Sequence, residues 1–218
     1  MTLTFLTAAN GKSLSKHYNR DKSFTPYPLV KKFNSNELPI SKKGIFDLQK
    51  ILNDAGNKGQ CLLKGSLSQP LVNESRAGKT DRTALTQLLV LDIDGIELPK
   101  LPMFGKKLIA KNVEDINELP NDLRNVSYVA QASASFGFKT DKVSLHIFMY
   151  LNKPYRSKIL KNWLEHINFT VPLFKEQITL SVTGQSLCLP LDISVADNTK
   201  VIFIAPPTFE DNTLDPFK

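Results

Sequence analysis

The chain has 218 residues, of which 41% are hydrophobic and 22% charged, with 28 Lys and Arg against 21 Asp and Glu and a net charge of +7. That composition excludes a disordered chain and suffices for a real core, as one large domain or as two lobes sharing a cleft. No apolar run of about 18 residues exists and nothing in the first ten residues reads as a signal peptide, so a cytoplasmic protein without membrane contact is expected.

In chain order, residues 1–43 are polar, with Pro26, Pro28 and Pro39 and the basic pair Lys31 and Lys32, and predict irregular chain with one short strand. Gly44 to Ala55 places Ile45, Leu48, Ile51 and Leu52 on one helical face, with Gly56 as a stop. Gln60 to Leu67 reads as a strand, and Ser68 to Thr86 as a polar loop carrying Arg76, Lys79 and Arg82. Leu88 to Ile93 is an apolar run ending in carboxylates, the pattern of a buried central strand. A helix over Val113–Leu123 follows, then strands over Val126–Ser135 and Val143–Leu151 around a Gly137 turn, the second ended by Pro154.

Arg156 to Ile167 predicts an amphipathic helix with Ile159, Leu160, Trp163, Leu164 and Ile167 inward. Phe174 to Ser186 fits helix or strand, whereas Leu187–Ile193 and Val201–Ala205 read as strands about a polar turn. The order gives an α+β fold with a largely antiparallel sheet in its second half. Cys61 and Cys188 are too few for a structural zinc site, which takes about four ligands, so no zinc is expected and both read as buried reduced thiols.

Three stretches carry chemistry. In Leu91-Asp92-Ile93-Asp94-Gly95, residues two apart on a strand face one way, so Asp92 and Asp94 project together. Two close carboxylates repel unless a cation sits between them, and Mg²⁺ or Mn²⁺ suits oxygen ligands. The same spacing also fits two aspartates entering a solvated turn. It further resembles the first motif of haloacid-dehalogenase-type phosphatases, with Asp92 as nucleophile. Those enzymes need a later acidic cluster that is not found downstream.

Ser144 and His146 repeat the two-residue spacing, and both can donate hydrogen bonds to a triphosphate. Lys142, just before them, could approach a polyanion, as could Lys200 after the Asp192 stretch, and Phe136 and Phe138 could stack on bases or fill the core. Asp192 stands in the apolar run Leu189–Ile193, where a shared metal, a salt bridge or a helix cap would each satisfy it.

The order LLVLDIDGI, then QASAS and VSLHIFMYLNKP, then LPLDISVADNTKVIFIAPP resembles the archaeo-eukaryotic primase superfamily, including the primase–polymerases of plasmids and phages. The resemblance covers about residues 60–207. It implies an N-terminal α/β lobe over about residues 1–85 and an RRM-like antiparallel-sheet lobe over about 86–210, with the active site in the cleft. It implies that Asp92, Asp94 and Asp192 bind two Mg²⁺ or Mn²⁺ ions and that Ser144 and His146 hold a nucleoside triphosphate. The implied substrates are a single-stranded DNA template and nucleoside triphosphates, and the implied partners are a helicase domain or other replication proteins. Arg76, Lys79 and Arg82 are candidate contacts to nucleic acid, or a solvated face. The strand after the third motif offers only Lys200 where related enzymes often carry one or two basic residues. A phosphatase, or an inactive nucleic-acid-binding module on the same fold, is the alternative.

Overall fold

The computed structural model describes residues 2–40, 44–97, 120, 123, 125–138 and 142–216. Its first forty residues hold more sheet than their polar content suggests. β1 (Thr2–Ala8) and β4 (Phe33–Pro39) pair antiparallel over their full lengths, from Thr2 opposite Pro39 to Ala8 opposite Phe33. On its other edge β1 takes β5 (Cys61–Leu63), which in turn takes β11 (Val201–Phe203), giving a four-stranded sheet in the order β11-β5-β1-β4. β1 alternates: Leu3 and Phe5 join the main core, whereas Leu6 and Ala8 join a second cluster with Leu14, Phe33, Cys61 and Leu71. β4 is a half-exposed edge strand, which is why its Asn and Ser residues do not look like strand sequence.

α1 (Ile45–Asn57) buries Leu48, Leu52 and Ala55, as the helical spacing predicts. Gly56 does not stop it. The helix continues past that residue, and a Cβ there would lie 2.7 Å from the Ile204 carbonyl oxygen, so glycine is required by the close approach of the backbone at Ile204.

The second sheet has the order β6-β8-β7, formed by β6 (Leu85–Glu97), β7 (Tyr128–Ala132) and β8 (Lys142–Arg156), all antiparallel. β8 runs through Pro154 rather than ending before it. Its register against β6 jumps from Leu88 opposite Tyr150 to Thr86 opposite Tyr155, so the proline sits in an irregular stretch that asks for no ladder hydrogen bond. α2 (Ser157–Thr170) buries Leu160, Leu164 and Ile167, but Ile159 is 53% exposed rather than inward.

A short α3 (Pro172–Lys175) and a two-residue hairpin, β9 (Thr179–Leu180) with β10 (Leu187–Cys188), resolve the ambiguous stretch. The strand expected through Ile193 ends early, and a 3-10 turn over Ile193–Ala196 replaces its end. A last sheet of two-residue strands joins β2 (His17–Tyr18), β3 (Phe24–Thr25) and β12 (Thr208–Phe209). The helix expected over Val113–Leu123 lies outside the described residues apart from Pro120 and Leu123.

The fold is α+β, built mostly from antiparallel sheets with few helices. Among the described residues no helix is long and apolar enough to cross a membrane. One hydrophobic cluster runs through both large sheets, from Phe5 and Leu62 to Leu91 and Ile147. Cys61 is buried, and burial pushes its thiol up to about 12; Cys188, in contrast, is exposed.

Lys64 bridges the two sheets. It follows β5, is 6% exposed, and donates from Nζ to the Thr86 hydroxyl (3.2 Å) and to the Leu88 carbonyl at the β6 irregularity. Burial pulls its ammonium down from 10.5 to about 7. The folded chain then holds fewer protons than the unfolded one between those values, so this group makes stability rise with pH across that window. The slope is at most about 1.4 kcal/mol per pH unit. Lys64→Met removes this dependence. Its melting temperature relative to wild type should therefore be higher below pH ~7 than near pH ~10 in calorimetry, and an identical offset at both would contradict a buried ammonium.

Candidate functional site

β6 brings Asp92 and Asp94 to its far half, and β8 brings Ser144 and His146 alongside. The register puts Asp92 directly opposite His146, and Nε2 of His146 lies 3.3 Å from Oδ1 of Asp92. His146 is in turn opposite Gln131 on β7. On the free edge of β6, Asp192 N–H donates to the Asp92 carbonyl (2.9 Å), Asp94 N–H donates to the Pro190 carbonyl (3.1 Å), and Ile93 bridges Leu191. Opposed residues in an antiparallel ladder share a face. Asp192, Asp92, His146 and Gln131 therefore form one cross-strand row.

Gly95 explains the glycine of the DxDG run. Its φ is +70°, and the register between Ile93 and Ile96 shifts there, so it is the left-handed residue of a β-bulge. The bulge turns the Gly95 N–H onto Ser144 Oγ (3.0 Å), whose hydroxyl lies 3.4 Å from Asp94 Oδ1. Ser144 thus reads both the bulge and the second carboxylate.

The third motif is held by a residue that no motif marks. Asn168 on α2 is fully buried; its Nδ2 donates to the Leu191 carbonyl (3.0 Å) and its Oδ1 accepts from the Leu191 N–H (3.0 Å). This clamp fixes the backbone one residue before Asp192. The Asp192 carboxylate accepts from Ser194 N–H, Ser194 Oγ and Lys200 Nζ, each at 2.8 Å. Burial acts to raise its pKa, but the hydrogen bonds from Lys200 and Ser194 win and hold it below the usual carboxylate value. It is both salt-bridged and a cap of the 3-10 turn.

Tyr27 lies within electrostatic reach of the two carboxylates. Burial, then the charge of Asp92, with Tyr18 and Asp94 adding, holds its phenol well above the ordinary value. Its ring stacks on Phe203 at 3.8 Å and 11°. Sequence reasoning had no signal for Tyr27 or Asn168, because each acts through a contact distant along the chain.

The other expected residues have partners of their own. Lys142 pairs with Glu97 at 3.4 Å, Lys79 pairs with Glu74, and Arg76 donates to the Thr199 carbonyl at 2.7 Å. Arg82 is exposed, near Asp197. Phe136 is buried in the core, and Phe138 stacks flat on Tyr18 at 3.6 Å. A cavity of about 510 Å³ opens beside Lys200, lined by polar Arg76, Ser194 and Thr199 as well as apolar Pro28, Phe33 and Phe203.

His146 Nδ1 and Gln131 Oε1 are buried without a hydrogen-bond partner among the described residues. Also among the described residues, no three His, Cys, Asp or Glu side chains gather in a way that could hold a metal ion. Compared with known protein families, curated proteins and solved structures, the chain matches none.

Asn168→Ala leaves the N–H and carbonyl of Leu191 buried without partners. Such groups cost about 1–3 kcal/mol each. Urea unfolding should show a loss of at least ~2 kcal/mol, and a loss within error of zero would show that the clamp contributes nothing.

Proposed function

We propose that the chain is a template-directed nucleotidyltransferase of the primase–polymerase kind, acting in a cleft between a lobe bearing the four-stranded sheet and an RRM-like lobe bearing β6, β8 and β7. One observation carries this reading. Three short motifs far apart in sequence meet on neighbouring strands, with Asp92 opposite His146 and bonded through its backbone to Asp192. The phosphatase alternative expects its aspartates on a strand of a parallel sheet, whereas β6 has antiparallel neighbours along both edges.

The cofactor is proposed to be Mg²⁺ or Mn²⁺, as two ions. The donor type suits such ions although the three carboxylates do not gather into a ligand set here: Asp92 is partly exposed and Asp94 exposed, and both offer the carboxylate oxygens that hard cations take. Asp192 would join them once Lys200 is drawn away. Bound there, such ions would lower the pKa of an attacking hydroxyl and neutralise phosphate charge.

The chain's own residues bind and orient. A nucleoside triphosphate would receive hydrogen bonds from Ser144 and His146 in exchange for their present contacts to Asp94 and Asp92. Lys200 would trade Asp192 for a phosphate oxygen, and Lys142 stands at the same end of β8. The 3′-hydroxyl of a template-paired nucleotide attacks the α-phosphate and pyrophosphate leaves. Positioning supplies most of the catalysis, which is why the site needs carboxylates and donors rather than a covalent nucleophile.

Primer synthesis on single-stranded DNA, with each metal and with ribo- or deoxynucleotides, tests the reading. Asp92→Asn and Asp94→Asn should abolish product while circular dichroism stays unchanged, and full activity in either sinks the assignment. His146→Ala should raise the nucleotide KM about tenfold, the worth of one hydrogen bond to a charged group, and leave template affinity unchanged. Template-independent release of phosphate from a monoester would favour the phosphatase, and strand binding without synthesis the inactive module.

A further inference from the structure

The cations expected to meet nucleic acid are largely engaged inside the molecule, so the available positive charge lies elsewhere. Residues 10–32 carry Lys12, Lys16, Arg20, Lys22, Lys31 and Lys32 against one carboxylate, Asp21. Among the described residues, Arg20 is the only one of these six in an ion pair, with Glu210 at 3.9 Å.

The same segment forms most of the small sheet of β2, β3 and β12, and that sheet is aromatic. Tyr18 stacks on Phe138, Phe209 lies 5.8 Å from Tyr18, and the Tyr18 hydroxyl donates to the Ala134 carbonyl (2.8 Å). These rings form a fixed base. Above it Phe24, on β3, is 52% exposed and tilted against Tyr18 at 5.8 Å. Lys16 Nζ stands 5.2 Å from the Phe24 ring and 5.3 Å from the Tyr27 ring. Tyr27 is close enough to Asp92 and Asp94 for their charges to act on its phenol. Ring, cation and ring thus follow one another from the open surface to the half-buried Tyr27.

We propose that Phe24, Lys16 and Tyr27 form the track on which single-stranded nucleic acid reaches Asp92 and Asp94, with Phe24 stacking on a base and Lys16 on a phosphate. An exposed ring beside a cation suits a ligand that offers both a π-face and a negative charge at each step. A duplex hides its base faces, and an acidic peptide has none to offer. The direction of the track, toward the carboxylates, rests on the nucleotidyltransferase reading; the binding itself does not.

The test is fluorescence anisotropy of a labelled oligothymidine with the full chain, in EDTA and without nucleotide. Phe24→Ala should weaken binding about tenfold, and Phe24→Trp should restore it. Lys16→Met should reduce the slope of log affinity against log salt by about 0.7, one phosphate's share for a single strand. Phe24 projects from a two-residue strand into solvent, and an unchanged melting temperature checks that Phe24→Ala folds. Wild-type affinity in Phe24→Ala together with a wild-type salt slope in Lys16→Met would overturn the track. So would an equal loss, in Phe24→Ala, of binding to a duplex or to polyglutamate, since that marks a plain polyanion patch. If wild type makes no primer while these binding results hold, the nucleotidyltransferase reading fails and the binding surface stands.

Discussion

Strand β6 gives its two edges to different partners at the same residues: β8 on one side and the Pro190–Asp192 segment on the other. This double pairing is the constraint on which the rest of the site depends. A strand of Leu88, Leu89, Val90, Leu91 and Ile93 is buried on both faces, and its apolar side chains fix its register against β8. A slip of one residue would send Asp92 into the core and Ile93 into the row of polar groups. The carboxylates are therefore held by the hydrophobic pattern around them more than by their own contacts. Asn168 extends that control to the third motif, since it binds both backbone groups of Leu191 and leaves the adjacent Asp192 no freedom of register.

What could be read from the sequence was what local periodicity encodes. α1 and most of α2 follow from helical spacing, and the cores of β6 and β8 follow from apolar runs. The two-residue spacing put Asp92 beside Asp94 and Ser144 beside His146, but the pairing of Ser144 with Asp94 and of His146 with Asp92 was not legible, since spacing says nothing of register between strands. For β1 and β4 the sequence suggested only one short, unplaced strand, because a Thr-rich strand and a polar edge strand look like loop until each supplies the other's hydrogen bonds. Pro154 misled because a proline ends a regular strand but not one that is already irregular at that point.

Charge was legible in total and not in place. The excess of Lys and Arg is a property of the sequence, but whether a given cation is available depends on which carboxylate or carbonyl folding brings to it. Arg76 meets Thr199 and Lys200 meets Asp192, whereas Lys16 meets two aromatic rings. A cation against rings keeps more of its charge for a ligand than one against a carboxylate. The distinction cannot be drawn from spacing.

The four-stranded sheet joins β1 to β5 and β5 to β11, so residues near 5, 62 and 202 are immediate neighbours. Contacts of such long sequence separation close large loops and slow folding. During synthesis β1, β4 and β5 leave the ribosome early, but the edge of β5 stays unpaired until residue 203 has emerged. The order of events is then imposed by topology: the Asp192 segment and Phe203 arrive together, well after β1, β4 and β5. The third motif and one wall of the cavity are thus completed in the same step that closes the sheet, and a chain arrested before that point presents an open strand edge instead of a site.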